Sequence, residues 1–348
     1  MTTAEFWRGR RVLITGHTGF KGSWLSTWLL QLGSKVTGVA LQPHTDPAMF
    51  NLLGLGEQMD SHIADIRDAA AVAKVVQDSK PEVIIHMAAQ ALVRESYTDP
   101  LGTFMTNVMG TAHVLDAARG AKDLGAVVVV TSDKCYDNRE WVWGYRENDA
   151  MGGHDPYSAS KGCAELVTSS YRQSYGDNLP VASARAGNVI GGGDWSDDRL
   201  IPDIVRAIAA NEVVQIRNPG AIRPWQHVLE PLAGYLLLAE QVCNDAPAYA
   251  GAWNFGPSYG DTQPVSALIE RLGRNFDALE WQIDEGEHPH EAHFLKLDIS
   301  KAVSELGYRP RIALDTALDW TASWYQAWLD GQDMLDVTHQ QIDDFTRT

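Results

Sequence analysis

A glycine-rich turn near the start of the chain limits the folds open to it more than any other feature. Three apolar residues, Val12–Ile14, precede the segment TGHTGFKG, whose glycines are Gly16, Gly19 and Gly22. This spacing permits a tight turn whose backbone comes close to a bound pyrophosphate, and a following helix offers free N–H groups to an anion. A turn needed only for close helix–strand packing is the alternative. The position between a strand and a helix favours dinucleotide binding.

Short apolar runs alternate with helix-length segments over the first part of the chain. The runs show little polar alternation, as expected for strands of a parallel sheet covered on both faces. The predicted strands are Val12–Ile14, Val36–Val39, Val83–His86, Val127–Val130 and Val181–Arg185. The predicted helices are Trp24–Leu32, Ala69–Asp78, Thr106–Arg119 and Tyr157–Tyr175. This order predicts a Rossmann-type, doubly wound α/β fold with a parallel sheet.

The pattern changes after Asn188. Residues 191–194 read GGGD and predict a loop, and Pro202–Ala210 predicts a helix, but no regular alternation follows. We therefore expect a nucleotide-binding domain at 1–187 together with about 228–257. A smaller, mixed α/β substrate-binding region is expected at 188–227 and 258–348. No flexible linker is evident in the sequence, so the two regions are expected to pack closely.

The composition excludes several classes of protein. The 348 residues include 28 Lys and Arg against 45 Asp and Glu, a net charge of −17, whereas nucleic-acid binding requires a clustered basic face. Three cysteines without a CxxC pair indicate neither a disulfide framework nor a structural zinc site. The longest aliphatic run, Ala126–Val130, is far shorter than the ~20 residues of a membrane span. Met1–Arg11 lacks the apolar stretch of a signal peptide, so we expect a soluble, cytoplasmic protein that contacts no membrane.

The end of the second predicted strand bears on the choice of dinucleotide. NAD-binding proteins often have an acid there, and an arginine nearby accommodates the 2′-phosphate of NADP. Here the residues at the strand end are ALQPH at 40–44, with no acid among them, and no arginine lies between Val36 and Asp46. The lack of a cation favours NAD. Gln42, Asp65 and Ile66 are the candidates for contacts to its adenosine.

Tyr157 and Lys161 form a candidate catalytic pair. They are four residues apart and therefore face the same side of a predicted helix. A nearby ammonium favours the phenolate and lowers the pKa of the tyrosine, so that Tyr157 can act as a base near neutral pH. A surface Tyr/Lys pair is the alternative, and the upstream glycine-rich turn favours the catalytic interpretation.

A second polar group follows the strand at 127–130 directly. It reads Thr131-Ser132-Asp133-Lys134. Ligands of open α/β sheets bind at the carboxyl ends of the strands. These four residues are therefore candidates for the same site, with a solvated turn as the alternative.

Several of these segments together resemble the extended short-chain dehydrogenase/reductases. The resemblance rests on the turn at 16–22, the sequence HMAAQ at 86–90, Asn107 and the Tyr157/Lys161 pair, and it covers most of the chain. It implies NAD as cofactor and a homodimer formed through the helices at 106–119 and 157–175. The cofactor-binding residues are then Gly16, His17, Thr18, Gly19, Phe20, Lys21, Gly22, Gln42, Asp65, Ile66, Ala88, Ala89, Gln90, Asn107, Thr131, Tyr157 and Lys161.

Within that superfamily, residues 131–136 resemble the catalytic segment of the nucleotide-sugar 4,6-dehydratases. Those enzymes have a hydroxyl, an acid and a base at three successive positions, which correspond to Ser132, Asp133 and Lys134. The third position is lysine here, where the members acting on dTDP-glucose carry glutamate. The segments GHTGFKG at 16–22, TSDKCY at 131–136, RAGNVIGGGDW at 185–195 and RPWQH at 223–227 are similar to the members acting on CDP-glucose.

The resemblance implies a redox-neutral reaction within deoxysugar biosynthesis, as for the O-antigen of lipopolysaccharide. Tyr157 removes the proton of the sugar 4-hydroxyl while hydride leaves C4 for the nicotinamide, and Ser132 binds the 4-oxygen. Lys134 removes the C5 proton, Asp133 protonates the departing 6-hydroxyl, and hydride returns to C6. Lys134 must then be partly neutral, which calls for burial and nearby cations, and Asp133 must be protonated when it donates.

A nucleotide-diphosphate sugar needs cationic or amide donors, which this acidic chain must supply locally. The predicted substrate-binding residues are Ser132, Asn188, Arg199, Leu200, Arg223 and His290. An arginine binds phosphate oxygens bidentately, although either arginine also suits a surface ion pair. Trp225 and His227 are expected to shape the pocket. The histidine-rich run at 287–293 lacks the spacing of a zinc-binding helix and contains a proline, so we expect no metal.

Other functions stay open at this point. A dTDP-glucose or GDP-mannose 4,6-dehydratase differs in substrate only. A nucleotide-sugar 4-epimerase shares the Tyr/Lys pair but does not require Asp133 and Lys134. A non-catalytic sensor of NAD redox state keeps the glycine-rich turn but has no use for the complete catalytic group.

Overall fold

The structure is a computed structural model that describes residues 3–258, 262–276, 279–284, 286 and 295–348. Its strands are β1 Arg11–Thr15, β2 Lys35–Ala40, β3 Asp60–Ile63, β4 Val83–His86, β5 Ala126–Val130, β6 Val181–Ala186, β7 Val189–Ile190, β8 Val214–Ile216, β9 Ile222–Pro224, β10 Gln226–His227, β11 Ala252–Phe255, β12 Thr262–Pro264 and β13 Trp281–Ile283. Its helices are α1 Ala4–Trp7, α2 Phe20–Gln31, α3 Met49–Leu52, α4 Ala69–Ser79, α5 Val93–Thr98, α6 Pro100–Phe104, α7 Gly110–Ala118, α8 Pro156–Tyr175, α9 Leu200–Ala210, α10 Leu229–Asn244, α11 Ala246–Tyr249, α12 Val265–Leu272, α13 Leu314–Leu329 and α14 Met334–Arg347.

Seven strands form one parallel sheet in the order β11-β6-β5-β4-β1-β2-β3. Strand β1 lies between β2 and β4, and the strand order reverses there. In open α/β sheets this reversal opens a crevice outside the carboxyl ends of the strands. The topology confirms the predicted doubly wound α/β fold. All five predicted strands lie within β1, β2, β4, β5 and β6, while the division into two domains stays a prediction.

Three elements differ from the sequence prediction. The edge strand β3 has no fully buried residue, so it lacks the apolar run by which the other strands are recognised. Helix α2 begins at Phe20, within the glycine-rich segment, because Gly19 occupies the N-cap position. The predicted helix 106–119 is part of a longer one, in which the π-helical turn Met105–Met109 joins α6 to α7.

The central strands separate two hydrophobic cores. Val12 and Ile14 of β1 belong to the core that includes α2 and α10, whereas Leu13 packs with α4 and α7. Side chains of a strand alternate between faces, so an entirely apolar strand supplies both cores at once. Burying each such side chain contributes about 1.5–3 kcal/mol.

The C-terminal helices cover the outer side of α2. Trp28 of α2 meets Phe345 of α14 edge to face at a centroid distance of 5.7 Å, and the Gln31 side chain donates to Asp343 over 2.6 Å. Trp24 is also fully buried and donates to the carbonyl of Gly192 over 2.9 Å. In the described ranges, no helix is both long and apolar enough to span a membrane.

Candidate active site

A cavity of about 1090 Å³ opens at the carboxyl ends of the central strands. Its lining combines the glycine-rich turn, the segments after β4, β5 and β6, and the first turns of α8 and α9. The predicted site residues that line it are Gly16, Thr18, Gly19, Phe20, Lys21, Gly22, Gln42, Asp65, Ile66, Ala88, Ala89, Gln90, Thr131, Ser132, Asp133, Lys134, Tyr157, Lys161, Asn188, Arg199, Leu200 and Arg223. The structure therefore brings nearly all of them to one crevice.

Three predicted site residues are not part of this lining. His17 and Asn107 are buried behind the wall of the cavity, and His290 lies outside the described residues. His227, expected to shape the pocket, is fully buried and does not line it. Its ring packs edge to face against Trp24 and a second tryptophan of the core. Trp225 does line the cavity.

The glycines of the turn have two different reasons to lack a side chain. A Cβ on Gly16, whose φ is +81°, would lie 2.8 Å from the Ala88 nitrogen, and one on Gly22 would lie 2.7 Å from the His17 Cα. Packing therefore requires these two glycines. Among the described residues, the atom nearest a Cβ on Gly19 is the Gly16 carbonyl oxygen at 3.5 Å, so packing leaves room at Gly19 beside the cavity, which it lines.

The beginning of α2 is suited to an anion. Its first turn contains no acid, and within the described residues no side chain caps it. The first N–H groups of a helix have no intrahelical acceptor and carry the positive end of its dipole. Together with the open face of Gly19, this N-terminus fits a dinucleotide pyrophosphate.

His17 supports the turn from behind. Burial lowers the pKa of its imidazole to about 4, so the ring is neutral. Its Nε2 hydrogen-bonds the Ser61 hydroxyl at 2.7 Å, and a Cβ on Gly38 would lie 2.5 Å from its Nδ1. The ring fills the space between the turn and β2, and only the backbone of His17 belongs to the turn.

Asp65 is held in place by a neighbouring arginine that the sequence analysis did not consider. The Arg67 backbone N–H and Nε each donate to its carboxylate over 2.8 Å. These hydrogen bonds hold the pKa of Asp65 below its usual value. Arg67 also lines the cavity, but its charge is neutralised by Asp65.

Asn107 links the wall of the cavity to α8. Its Oδ1 accepts from the Gln90 N–H at 2.9 Å, and its Nδ2 donates to the Gln90 carbonyl at 3.0 Å and to Ser160 Oγ at 2.8 Å. The π-helical turn at 105–109 carries Asn107 to this position. Asn107, predicted to contact the cofactor, does not line the cavity. Its side chain fixes the backbone of Gln90, which does.

A buried hydrogen-bond chain fixes the end of β4. Thr15 Oγ1 accepts from the N–H groups of Met87 and Ala88 at 3.1 and 3.0 Å, so its hydrogen is directed at His86 Nδ1, 2.6 Å away. Nε2 then carries the imidazole proton and donates to Thr111 Oγ1 at 3.0 Å. Burial lowers the pKa of His86 to about 3, so this neutral tautomer persists at physiological pH.

Tyr157 and Lys161 lie on the buried face of α8. Burial raises the pKa of Tyr157 to about 12, although its hydrogen bond with Ser132 and the charge of Arg199 act in the opposite direction. Burial lowers the pKa of Lys161 to about 8, opposed by Glu165. The expected lowering of the Tyr157 pKa is therefore wrong, because desolvation of the phenolate outweighs the attraction of nearby cations.

The segment after β5 presents its three candidate side chains differently. Ser132 Oγ donates to Asp133 Oδ1 at 3.0 Å and accepts from the Lys134 N–H at 3.2 Å. The Asp133 side chain is buried, and its Oδ2 has no hydrogen-bond partner in the described part of the chain. Lys134 lines the cavity, but its side chain is exposed to solvent. The expectation that Lys134 is buried is therefore wrong.

A buried ionic network lies directly behind this segment, and the sequence analysis missed it. Glu165 accepts from Thr131 Oγ1, from Ser183 Oγ at 2.7 Å and from the Arg185 guanidinium at 2.8 Å. Arg185 also donates to the Tyr136 hydroxyl at 2.7 Å. Burial on its own raises the pKa of Glu165, but Arg185 and the hydrogen bonds outweigh it and hold that pKa below its usual value. The available signal is the spacing from Lys161 to Glu165, one turn of the same buried helix face.

Cations are concentrated in the cavity of this acidic chain. Burial lowers the pKa of Lys21 to about 8, with Arg199 and Lys161 acting in the same direction and Asp133 and Asp194 against it. Arg199 lies 3.4 Å from the Asp194 carboxylate and is partly exposed. Arg199, between β7 and α9, is thus a cation whose charge also acts on Tyr157 and lowers its pKa.

An ion-pair cluster at the rim of the cavity also escaped the sequence analysis. Asp198 contacts Arg94 at 3.1 Å and Arg217 at 3.3 Å, and all three line the cavity. Asn188 lies between β6 and β7 and has a φ of +47°. In the described residues no group of three metal-ligating side chains occurs, and residues 287–294 lie outside them.

Comparisons with known proteins give consistent matches. The family model described as GDP-mannose 4,6 dehydratase matches residues 13–321. The CDP-glucose 4,6-dehydratase of Salmonella typhimurium is 50% identical over 99% of this chain and 98% of its own. The dTDP-glucose 4,6-dehydratase of Streptomyces antibioticus is 29% identical over 90% of this chain and 92% of its own.

Two solved structures illustrate the structural similarity. The dTDP-glucose 4,6-dehydratase DesIV from Streptomyces venezuelae, solved with NAD bound, is 25% identical, with a TM-score of 0.76 over 93% of this chain and 99% of that one. A UDP-glucose-4-epimerase from Stenotrophomonas maltophila is 24% identical, with a TM-score of 0.80 over 92% of this chain and 99% of that one. At that identity the second match supports the fold alone.

Proposed function

The chain belongs to the GDP-mannose 4,6-dehydratase family, and on that basis we propose that it is an NAD-dependent hydro-lyase that converts CDP-glucose to CDP-4-keto-6-deoxyglucose. The observation that carries the reaction type is the Ser132–Asp133 pair. Ser132 is hydrogen bonded both to the buried carboxyl and to Tyr157, so an acid lies beside the tyrosine of an oxidoreductase site. The choice of CDP-glucose follows the curated relative that is 50% identical over nearly the whole chain.

Bound NAD supplies the acceptor for the C4 hydride and the donor that returns it to C6. We assign its pyrophosphate to the Gly16–Gly22 turn and the N-terminus of α2, where Gly19 leaves room for a ligand. Gln42, Asp65 and Ile66 line the same cavity, and we assign the adenosine to them. The Arg67–Asp65 ion pair supports NAD over NADP, because that arginine is already neutralised.

Oxidation at C4 requires the removal of the hydroxyl proton as hydride leaves. Tyr157 accepts this proton, and Ser132, which is hydrogen bonded to Tyr157, binds the 4-oxygen beside it. Since burial raises the pKa of Tyr157 to about 12, the phenolate depends on positive charge nearby. Lys161, protonated below about pH 8, and Arg199 supply that charge.

The second half of the reaction eliminates water across C5 and C6. The 4-keto group acidifies the C5 hydrogen, and a base at the cavity wall removes it. Lys134, which lines that wall, is the candidate by position, although its exposure does not supply the burial that a neutral amine requires. Asp133 donates its proton to the 6-oxygen, so that water leaves as the C5–C6 double bond forms. Return of hydride to C6 and a proton to C5 completes the 4-keto-6-deoxy product and leaves the cofactor unchanged.

The substrate diphosphate is assigned to the region after β6. Asn188, Arg199, Leu200 and Arg223 line that wall of the cavity, and the guanidinium groups match phosphate oxygens. The assignment of His290 stays a prediction, since that residue lies outside the described part. A 4-epimerase would need no proton donor beside Ser132, so the buried Asp133 carboxyl favours the dehydratase.

The sequence prediction named the helices at 106–119 and 157–175, and we propose a homodimer formed through these together with α5 and α6, which precede the first of them. Large apolar side chains on these helices are exposed instead of buried. They are Tyr97 at 49%, Leu101 at 77%, Met105 at 47%, Met109 at 42%, Leu166 at 61% and Tyr175 at 40% exposure. Leu101, Met105 and Met109 recur every fourth residue within the helical run from Pro100 to Ala118, which places them along one side of it. Exposed apolar patches of this kind mark association surfaces.

We also propose that the enzyme acts in the cytoplasm, where NAD and nucleotide sugars are available together. The O-antigen pathway named by resemblance stays a prediction. Neither proposal changes the assignment of residues in the site.

The proposed function is tested by offering the purified protein NAD together with CDP-glucose, dTDP-glucose, UDP-glucose or GDP-mannose. Mass spectrometry should show the loss of one water from CDP-glucose, with little or none from the others. Asp133→Asn should abolish that loss, whereas Asp137→Asn, an exchange of a nearby carboxylate that does not line the cavity, should leave it intact. An unchanged mass with altered stereochemistry at C4 would contradict the dehydratase and establish an epimerase.

A further inference from the structure

Gly187, the residue directly after β6, has no role in the mechanism described above, yet it lies against the catalytic acid. A Cβ on Gly187 would overlap Oδ2 and Cγ of Asp133 and would lie 2.5 Å from Oδ1. The φ of Gly187 lies outside the left-handed range, so its backbone conformation does not demand glycine. Position 187 therefore requires glycine for lack of space, because the Asp133 carboxyl occupies the volume that a side chain there would need.

The backbone of Gly187 is fixed by its surroundings. The buried Gln226 side chain donates from Nε2 to the carbonyl of Gly187 at 3.2 Å and to that of Phe255 at 3.3 Å. Ala186 and Phe255 are paired in the β6–β11 register. A methyl group at position 187 would consequently displace the short Asp133 side chain more readily than the strand end itself.

The present position of Asp133 is suited to its proposed role. Ser132 Oγ holds Oδ1 at 3.0 Å, and the side chain is buried while still lining the cavity. Turning the carboxyl away from Gly187 would break this hydrogen bond or move the acid along the cavity wall. Either change alters the distance to the leaving oxygen.

We propose that Gly187 is a positioning residue for the elimination step, because its missing side chain lets the Asp133 carboxyl remain buried beside Ser132. This inference rests on the proposed function, in which Asp133 is the acid. In that step the base takes the C5 proton and the C5–H electron pair becomes the C5–C6 double bond. The C6–O bond breaks, and the leaving oxygen takes the Asp133 proton and departs as water.

Displacement of Asp133 acts most directly on this step. The earlier C4 oxidation uses Tyr157 and Lys161, whereas the three atoms nearest a Cβ on Gly187 all belong to Asp133. Gly187→Ala should therefore lower steady-state turnover about 100-fold or more, the range for loss of a general acid. KM for the substrate should stay within about threefold. In a single turnover, reduced cofactor should form and persist, since oxidation proceeds and elimination does not.

Gly256 provides a matched control. It follows β11 as Gly187 follows β6, one position beyond the paired residues Ala186 and Phe255. Among the described residues, a Cβ on Gly256 would meet Ile299 Cγ2 at 3.4 Å and Leu297 Cβ at 3.8 Å and nothing nearer, which are ordinary contacts. Gly256→Ala should keep turnover within about twofold of the wild type.

A double-mutant cycle with Asp133→Ala keeps the proposal testable if Gly187→Ala is poorly stable. Removing the carboxyl makes room for the methyl group, so the double variant should melt at a higher temperature than Gly187→Ala. It should also be no less active than Asp133→Ala, because the two changes act through one side chain.

The outcomes separate the inference from the function on which it rests. A wild type that removes no water from CDP-glucose would overturn the proposed function. With an active wild type, near-normal turnover of Gly187→Ala would overturn the inference alone. So would a loss of activity in which no reduced cofactor forms, or additive losses in the double variant.

Discussion

Burial sets the protonation of the side chains at the centre of the site. It raises the pKa of Tyr157 to about 12 and lowers that of Lys161 to about 8. Desolvation penalises whichever form is charged, so an acid and a base shift in opposite directions. At neutral pH Tyr157 is a hydroxyl and Lys161 largely an ammonium. Proton transfer to Tyr157 therefore depends on the groups that stabilise its phenolate.

Ser132→Ala removes one of those groups. The hydrogen bond between Ser132 and Tyr157 lowers the pKa of Tyr157, and a hydrogen bond to a charged group contributes about 1.5–3 kcal/mol, so kcat should fall about 10- to 100-fold. The acidic limb of the kcat profile should move to higher pH. Ser169→Ala, a change on the partly exposed side of α8, serves as the control. An unchanged kcat in Ser132→Ala would contradict the role of this hydroxyl.

Glu165→Gln tests the charge that keeps Lys161 protonated. Glu165 raises the pKa of Lys161 against the effect of burial, so neutralising it should lower that pKa further. Activity requires the ammonium and is lost as pH rises through the pKa of Lys161. The alkaline limb of kcat/KM, which reports the free enzyme, should therefore move from near pH 8 to lower pH.

Glu147→Gln is the matched control for that prediction. Glu147 also lies near Arg185, whose guanidinium donates to its carbonyl at 3.0 Å, but it is not among the groups that act on Lys161. Its pH profile should match that of the wild type. An alkaline limb that stays in place in Glu165→Gln would contradict the electrostatic link between the network and Lys161.

At the scale of secondary-structure elements, the sequence predicts the strands and helices whose own residues show an apolar run or helical periodicity. The apolar runs of β1, β2, β4, β5 and β6 are continuous because both faces of the sheet are covered. The half-exposed edge strand β3 has no such run. The start of α2 depends on Gly19, whose role as N-cap follows from a turn geometry that helical periodicity does not encode.

The site is predictable to the extent that its residues are near one another in the sequence. Segments 16–22, 131–134 and 157–161 all reach one cavity, as expected from strand ends in an open sheet. The hydrogen-bond network around Glu165 was not predicted, because its members are distant in sequence. Glu165 lies on α8, Thr131 follows β5, and Arg185 lies in β6. Two predictions about the catalytic side chains are wrong, and both concern how far each side chain is buried. The pKa of Tyr157 is raised, and Lys134 is exposed, and neither follows from residue spacing.

The N-terminus of α8 gives a prediction for the element that carries the catalytic pair. Asp155 caps this helix by accepting from the Ser158 N–H at 2.9 Å, and Pro156 follows in the first turn. Asp155→Ala should lower the free energy of unfolding by about 1 kcal/mol, measured by chemical denaturation. It should also lower activity, because the first turn of α8 carries Tyr157.

Asp68→Ala provides the comparison. Asp68 caps α4 in the same manner, accepting from Ala70 and Ala71, and α4 carries no site residue. It should lose similar stability while keeping its activity. Equal activity losses in the two variants would show that general destabilisation, and not the position of α8, controls the rate.

Across the whole molecule, charge and exposed apolar area are distributed unevenly. The chain has a net charge of −17, yet Lys21, Lys161, Arg199 and Arg223 all line one cavity. This concentration matches the need of a nucleoside diphosphate for local cations. The exposed apolar side chains of α5–α7 and α8 form the proposed association surface, which meets the cavity at Tyr97, a residue that also lines it.

Leu101→Glu tests the proposed dimer. Leu101 is 77% exposed, so a charge there should not disturb folding, but it should prevent an apolar interface from closing. Light scattering after size exclusion should show a dimer for the wild type and a monomer for the variant. Val142→Glu, at a position 74% exposed and remote from these helices in sequence, should remain dimeric. A monomeric wild type would contradict the interface.

The central claim is that one site oxidises C4, eliminates water and returns the same hydride to C6. Its most direct test is the conversion of CDP-glucose carrying deuterium at C4, in deuterium-free water with NAD. We predict a product that has lost one water, keeps the deuterium at C6 and gains a solvent hydrogen at C5, with no net formation of reduced cofactor. Deuterium that remains at C4 in a product of unchanged mass, or that is lost to solvent, would contradict the account.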